Sequence, residues 1–422
     1  MFARFRHPDR PIHAGNRNPH LAMVRSERDE VNIQVDSQNA WMWVLIGGLV
    51  VLHSAGCGSS ALQYSPNELH AAGLLHEEGS AEPEAVAEKA AEVVSQWFGT
   101  LDAPRWPKDI ESVVDMESVL RSAGPVGRGN DKVERGLYRK HCVSCHGLAG
   151  DGRGPAAMVL APYPRDFRRG TFKFKSTPHG SKPTREDLLH TLRSGLPGTA
   201  MPSFAALEQS DEFAHDVKAL VEYVRFLSIR GEVERKLIQK HVREGVELVA
   251  DSPECVESMQ QVVASWESAP ARVVAIPEPP VLGKSEMAES IARGRKLYLS
   301  ELTACAKCHG PEGRGDGNSQ DYDDWTKDWT LLAGIDPKDA RAWKAMKPWG
   351  ALKPVIDRPR NFAWGGFRGG SAPTDLFRRL VLGIEGSPMP PIARAEGNNP
   401  GLTDEEIWDL VHYVMSLGEA KP

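Results

Sequence analysis

The 422-residue sequence contains six cysteines, and four of them lie in two copies of one short motif. The copies read Cys142-Val-Ser-Cys145-His146 and Cys305-Ala-Lys-Cys308-His309. Two thiols at this spacing can each add to one vinyl group of a haem, and the adjoining histidine then supplies the proximal iron ligand. The motif therefore predicts two covalently attached haem c groups.

Two other chemistries also use a pair of cysteines separated by two residues. A zinc site combines such a pair with a second pair or with distant histidines. A disulfide oxidoreductase needs only the two thiols. In this chain a histidine directly follows the second cysteine in both copies, which favours haem over both alternatives.

Each predicted iron needs a sixth ligand, and two methionines occupy equivalent places after the motifs. Met201 lies 55 residues after His146, and Met389 lies 80 residues after His309; a proline follows each methionine. A lone methionine usually only fills a core. Two at equivalent positions predict His–Met ligation, which fills the coordination sphere and suits electron transfer.

The motifs lie in duplicated segments, which predicts two all-α domains over residues 126–235 and 286–422. In each copy an amphipathic segment precedes the motif, and a glycine-rich loop and a Pro-Arg-Asp-Phe or Pro-Arg-Asn-Phe turn follow it. Thr184 and Thr374 fit the N-cap of a helix after each turn. A helix of regular apolar spacing closes each copy.

Three further segments surround the repeats. Residues 236–285 predict a helical extension followed by a proline-rich linker. Residues 58–125 carry 4 basic and 12 acidic side chains and contain no motif that assigns them a role. An insertion near residues 318–356 contains four tryptophans, which predicts an enlarged local core or lid over the haem edge, or else a docking surface. Cys255 is predicted to be a lone thiol.

The net charge of −6 conceals a basic first repeat, in which residues 126–235 carry 18 basic and 13 acidic side chains. Much of the positive charge lies in one basic run: Arg165, Arg168, Arg169, Lys173, Lys175, Lys182 and Arg185. The run is either a solvated face or a docking patch for an acidic redox partner. A nucleic acid partner is not predicted, because no basic excess extends through the whole chain.

An apolar run at residues 41–52 precedes Ala55-Gly56-Cys57. At 12 residues it is short for a membrane span and suits the core of an export signal. Ala-Gly-Cys resembles a bacterial lipoprotein cleavage site, although Ser54 stands where such sites usually carry leucine. Residues 1–57 are therefore predicted to be a leader with Cys57 as the lipidated residue; an uncleaved anchor and a buried segment are the alternatives.

The motifs and their order resemble those of the class I cytochromes c, in a tandem dihaem form. The resemblance implies two small all-α domains, each with a helix before the haem motif and a C-terminal helix that crosses it. It also implies that a proline carbonyl in the loop after the motif binds the second nitrogen of the axial histidine. Pro155 matches that position in the first copy, whereas Asn318 follows Gly-Asp-Gly in the second.

The resemblance implies a dihaem electron carrier, not an enzyme. The predicted leader implies a location on the periplasmic side of the cytoplasmic membrane, with the chain anchored there by its N-terminus. Expected partners are a quinol-oxidising complex or dehydrogenase on one side and a haem–copper terminal oxidase on the other, and the chain could be a fixed subunit of such a complex. One alternative is a dihaem cytochrome c peroxidase-like enzyme, which needs one iron with an open or releasable sixth position. Another is an anchored relay that uses residues 58–125 as an interaction module.

Overall fold

The computed structural model describes residues 62–76, 82–209, 215–318, 321–395 and 400–419. Residues 61–422 form one compact unit that contains both motif-bearing domains. The predicted leader, with its apolar run and Cys57, lies outside the described residues. Within those ranges, no helix combines the length and apolar character that crossing a membrane requires.

The first domain is built around one long helix. Its helices are α1 (Glu68–Leu75), α2 (Pro83–Phe98), α3 (Met116–Ser122), α4 (Leu137–His141), α5 (Val143–His146), α6 (Arg185–Ser194), α7 (Asp216–Glu244) and α8 (Pro253–Glu267). Helices α1, α2, α3, α6 and α8 all pack against α7. The acidic segment therefore belongs to this core, where Val94 and Phe98 are fully buried, and the predicted boundary at residue 235 lies inside α7.

The second domain packs its first and last helices together. Its helices are α9 (Lys284–Leu299), α10 (Cys305–His309), α11 (Asp324–Leu332), α12 (Ala340–Met346), α13 (Pro373–Leu382) and α14 (Asp404–Glu419). Helix α9 crosses α14 closely at Gly294, where a Cβ atom would lie 1.9 Å from the Asp409 carbonyl oxygen. The buried Tyr298, Phe377 and Val411 form the core between these helices and α13.

Within the described residues, the strands form two short antiparallel ribbons. Strand β1 (Gly127–Arg128) pairs with β2 (Glu134–Arg135), and β3 (Asp321–Tyr322) pairs with β4 (Ile356–Asp357). The all-α prediction is therefore confirmed.

Only one of the two predicted N-caps forms. Thr184 caps α6 and shares a reciprocal pair of hydrogen bonds with Asp187. In α13 the N-cap is Ala372, whose N–H donates to the Asp375 carboxylate, and Thr374 lies inside the helix. Pro373 causes this shift, because proline suits the first helical position and the residue before it becomes the cap.

The tryptophan-rich insertion forms a core that joins the two domains. Trp325, Trp329 and Met346 pack against Leu69 of α1 and other small apolar residues. The Trp325 indole N–H donates to the Pro164 carbonyl over 2.7 Å. The insertion is thus an enlarged local core, and its partner surface lies within the same chain.

All seven members of the basic run form ion pairs within the chain. Four of its members pair with the second domain: Arg165 and Arg169 with Asp324, Lys173 with Asp357, and Lys175 with Glu385. The other three pair within the first domain: Arg168 with Asp166, Lys182 with Glu232, and Arg185 with Glu222. The prediction of a solvated face or an external docking patch is therefore wrong, because the acidic partner is mainly the second domain.

Candidate functional site

The same hydrogen bond ties each cysteine–histidine motif to the helix before it. The Tyr138 hydroxyl donates to the Gly147 carbonyl over 2.9 Å, and the Tyr298 hydroxyl donates to the Gly310 carbonyl over 2.7 Å. Both tyrosines are buried. In both domains a tyrosine of the preceding helix therefore fixes the end of the motif.

The glycine-rich loops fold back onto the motif backbone. The Gly154 N–H donates to the Cys145 carbonyl, and the Gly317 N–H donates to the Cys308 carbonyl, over 3.0 and 3.2 Å. A Cβ atom on Gly154 would lie 2.4 Å from the Ser144 carbonyl oxygen. This close approach requires glycine, because no larger residue fits against the backbone.

Each motif histidine is oriented by a backbone carbonyl of the following turn. His146 Nδ1 lies 3.1 Å from the Arg165 carbonyl oxygen, and His309 Nδ1 lies 3.4 Å from that of Arg360. A carbonyl only accepts, so Nδ1 carries the proton and the Nε2 lone pair is free for iron. The prediction that Pro155 supplies this carbonyl is wrong: Pro155 is exposed, and the Pro-Arg-Asp-Phe turn reaches the ring instead.

Aromatic stacking and burial complete the histidine environment. The His146 and Phe167 rings stack with centroids 4.6 Å apart, and so do the His309 and Phe362 rings. Burial lowers the pKa of His146 to about 4 and also lowers the pKa of His309. Both rings are therefore neutral near pH 7, as iron ligation requires.

The two methionines lie in loops of matching hydrogen-bond pattern. The Leu196 N–H donates to the Met201 carbonyl, and the Ile384 N–H donates to the Met389 carbonyl, both over 3.0 Å. A hydroxyl two residues earlier accepts from each methionine N–H: Thr199 in the first domain and Ser387 in the second.

All eight predicted haem-attachment and iron-ligating residues line one cavity of about 1120 Å³. They are Cys142, Cys145, His146, Met201, Cys305, Cys308, His309 and Met389. This volume exceeds the range of about 300–1,000 Å³ that is usual for the pocket of a single ligand. Its apolar wall includes Leu188, Val221, Leu376 and Val411 from both domains. This lining fits haem c. The cysteine thiols suit covalent attachment, the histidine nitrogens and methionine thioethers suit iron ligation, and the apolar wall suits the haem ring.

The alternative chemistries find little support at these cysteines. Burial, with a smaller contribution from Cys145, raises the pKa of the Cys142 thiol to about 12, which disfavours the thiolate that disulfide exchange needs. Among the described residues, no three His, Cys, Asp or Glu side chains gather as a metal-ion site of the zinc type. Cys255 is buried, and its sulfur lies 3.7 Å from the Glu247 carbonyl oxygen.

Sequence reasoning missed the carbonyls of Arg165 and Arg360 as the partners of the axial histidines. The signal was present in the duplicated Pro-Arg-Asp-Phe and Pro-Arg-Asn-Phe turns, which lie at the same place in both copies. His141 also lines the cavity and packs edge-on against Phe204.

Known protein families match both domains. The family described as "Cytochrome c" matches residues 291–418, and "Cytochrome C oxidase, cbb3-type, subunit III" matches residues 131–224. A chain of the Kuenenia stuttgartiensis reducing HAO-like protein complex is 30% identical over 67% of this chain and 94% of its own, with a TM-score of 0.43. No curated protein sequence matches the chain.

Proposed function

Because this chain belongs to the cytochrome c family, we propose that it carries electrons through two haem c groups held in one cavity. When bound, each haem supplies one-electron chemistry at its iron. The cysteines would anchor the haems as thioethers, and His146 and His309 would present Nε2 to the irons. Met201 and Met389 would supply the sixth ligands.

The observation that carries this proposal is that both complete donor sets line the same cavity. An electron then passes between two sites without leaving the protein interior. The apolar wall limits water around both sites, and the fixed histidine rings keep the ligand geometry unchanged between redox states. These features suit rapid transfer with little rearrangement.

Two matching methionine loops favour a carrier over a peroxidase-like enzyme. Peroxide chemistry needs one iron with an open or releasable sixth position, and a methionine thioether fills that position. Each domain places a methionine on the cavity wall in a loop of the same hydrogen-bond pattern. The two domains therefore offer the same ligand set.

A haem count with carbon monoxide binding tests both parts of the proposal. Intact mass should show two haems on the purified protein, and the reduced protein should leave carbon monoxide unbound. A count below two would contradict the dihaem proposal. Carbon monoxide binding at one iron would contradict double methionine ligation and favour the peroxidase-like alternative.

Methionine variants sharpen the same experiment. Met201→Ala and Met389→Ala should each open one iron and produce carbon monoxide binding at half of the haem. Met158→Ala is the matched control, because Met158 is 76% exposed and lies outside the cavity wall. A control variant that binds carbon monoxide, or a loop variant that does not, would contradict the ligand assignment.

We further propose that the protein works on the periplasmic side of the cytoplasmic membrane, anchored through a lipid on Cys57. The apolar run and the Ala-Gly-Cys sequence support this location. Cys57→Ser should release the protein from the membrane fraction and abolish the mass increment of the lipid. Retention of the variant at the membrane would contradict lipid anchoring.

The proposed partners are a quinol-oxidising complex or dehydrogenase as the reductant and a haem–copper terminal oxidase as the oxidant. The likeness of residues 131–224 to a subunit of a cbb3-type oxidase supports the second partner. Membranes containing such an oxidase should oxidise the reduced protein, and cyanide should stop the reaction. Oxidation that is absent or insensitive to cyanide would contradict this partner.

A further inference from the structure

Each methionine loop packs against the other domain. The Met201 loop (residues 196–202) meets Arg360: a Cβ atom on Gly198 would lie 2.6 Å from an Arg360 guanidinium nitrogen. The Met389 loop (residues 384–390) meets Arg165 of the first domain: a Cβ atom on Gly386 would lie 3.4 Å from an Arg165 guanidinium nitrogen, and 2.7 Å from a carboxylate oxygen of Asp324 in its own domain. Each methionine loop therefore contacts a charged side chain of the neighbouring domain.

At the Met389 loop the neighbouring cations form ion pairs. Arg165 lies next to Gly386 and pairs with Asp324, which also pairs with Arg169. Within the loop itself, Glu385 pairs with Lys175. Each of these three cations thus has a carboxylate partner.

At the Met201 loop two cations form no ion pair among the described residues. Arg360 donates two hydrogen bonds to the Gly366 carbonyl, and Arg368 lies 3.4 Å from the Gly198 carbonyl oxygen. Among the described residues, neither arginine forms an ion pair. The Nε atom of Arg368 is buried without a hydrogen-bond partner. The loop itself carries no charged side chain.

We propose that Arg360 and Arg368 raise the reduction potential at the Met201 site above that at the Met389 site. The inference rests on the proposed dihaem function. An oxidised haem carries one more positive charge than a reduced haem, so an uncompensated cation nearby favours the reduced form. Paired charges at the Met389 loop supply no such bias.

The direction of transfer follows from this difference. One electron enters from a reduced partner protein at the second domain, passes to the first, and leaves to an oxidised partner protein there. The Met389 site is oxidised by one electron as the Met201 site is reduced by one, and no proton or bond changes place. The second domain therefore faces the reductant, and the first domain faces the oxidant.

A redox titration followed by absorbance tests the order of the two potentials. Met201→His and Met389→His identify the steps, since loss of methionine lowers the potential of the altered site alone. The step of higher potential should be the one that Met201→His lowers. If Met389→His lowers it instead, the inference is wrong.

Arginine variants test the cause. Arg360→Gln should shift the equilibrium between the two one-electron-reduced forms about tenfold, which is about 59 mV for a one-electron couple. Arg360→Lys keeps the charge and should retain the wild-type order and spacing. Arg272→Gln removes an exposed linker charge outside the cavity wall and should leave both potentials unchanged.

The outcomes separate this inference from the proposed function. A haem count of two, with the far-red band of methionine-ligated ferric haem retained in Arg360→Gln, would show that the sites are intact. With intact sites, an unshifted potential in Arg360→Gln, or an equal shift in Arg360→Lys, would overturn the charge argument. Missing haem or a missing band in the wild-type protein would instead contradict the dihaem function.

Discussion

The two domains share the same set of contacts around the cysteine–histidine motif, which we call the shared frame. They differ in the helices and charged groups that pack around it. The tyrosine hydrogen bonds, the histidine–phenylalanine stacks and the loop contacts recur with similar distances. The first domain adds α1, α2, α3 and the 29-residue α7 to its core, whereas the second has a small core and depends on the insertion. Duplicated loops therefore preserve the ligand geometry while the surrounding packing and charge diverge.

The difference in support also appears in the buried charges. Glu234 is fully buried, accepts from Arg230 over 2.9 Å and accepts from the Asn67 N–H over 2.8 Å. In the second domain the pair of Arg293 with Asp409 joins α9 to α14, and its arginine is exposed. The first domain thus ties its N-terminal helices to α7 with a buried ion pair that the second lacks.

The largest expected effect is at this buried pair. Glu234→Ala should lower the free energy of unfolding of the first domain by about 3–5 kcal/mol, because Arg230 would remain as an unpaired buried charge. Denaturant unfolding followed by circular dichroism measures it. Asp409→Ala in the second domain leaves only the exposed Arg293 unpaired and should have a much smaller effect. Equal effects would contradict the contrast between the domains.

The next effect concerns the insertion. Trp329→Ala should lower the free energy of unfolding by about 3 kcal/mol, which is at the low end for removal of a buried tryptophan. The loss is small because the buried indole N–H of Trp329 makes no hydrogen bond that the variant would break. The loss should fall on the contact between domains, so unfolding should separate into two transitions. A single transition at the wild-type midpoint would contradict the joining role of the insertion.

The carboxylates between the domains give a smaller, pH-dependent effect. Burial opposes ionisation of the Asp328 carboxyl. The positive charges of Arg169 and Arg235 have a larger effect and hold its pKa well below its usual range. Because the pKa of Asp328 is lower in the folded protein than in the unfolded chain, its carboxylate stabilises the fold at pH values above the unfolded pKa of about 3.9. This stabilisation is lost progressively as the pH falls below that value.

Asp328→Asn should therefore cost about 1–3 kcal/mol at pH 7. Its unfolding free energy should also fall less steeply than that of the wild type below about pH 4, since the titrating carboxyl is gone. Unfolding curves at several pH values measure both. If the free energy of unfolding falls equally steeply below about pH 4 in the variant and the wild type, Asp328 does not have the lowered pKa.

The smallest effect tests the shared frame itself. Tyr138→Phe and Tyr298→Phe each remove one buried hydrogen bond and should each cost about 0.5–1.5 kcal/mol. Thermal unfolding of the two variants should give similar losses. A cost above this range in one domain only would show that the frame is not equivalent in the two copies.

The sequence predicted what depends on local spacing. The cysteine–histidine motifs, the methionine loops and the closing helices follow from short patterns that occur twice, and the structure places the eight ligand residues on one cavity. Their geometry depends on residues near them in the chain, such as Gly154 against the motif backbone.

Features that depend on distant pairing could not be predicted in the same way. The basic run looked like a free surface because Asp324, Asp357 and Glu385 lie more than 150 residues away in sequence. Pro155 was chosen by position in a loop, whereas the histidine partner depends on how the Arg165 turn folds back. Residues 58–125 carried no motif, and their three described helices pack against α7.

The crossed contacts of the methionine loops have a consequence for how the protein is made. The first domain leaves the ribosome well before the second, yet the surroundings of Gly198 include Arg360 and Arg368 from the later domain. A chain that ends in the linker would carry a first haem site with an unfinished electrostatic environment. The surroundings of the Met201 loop are complete only when Arg360 and Arg368 of the second domain have docked against it.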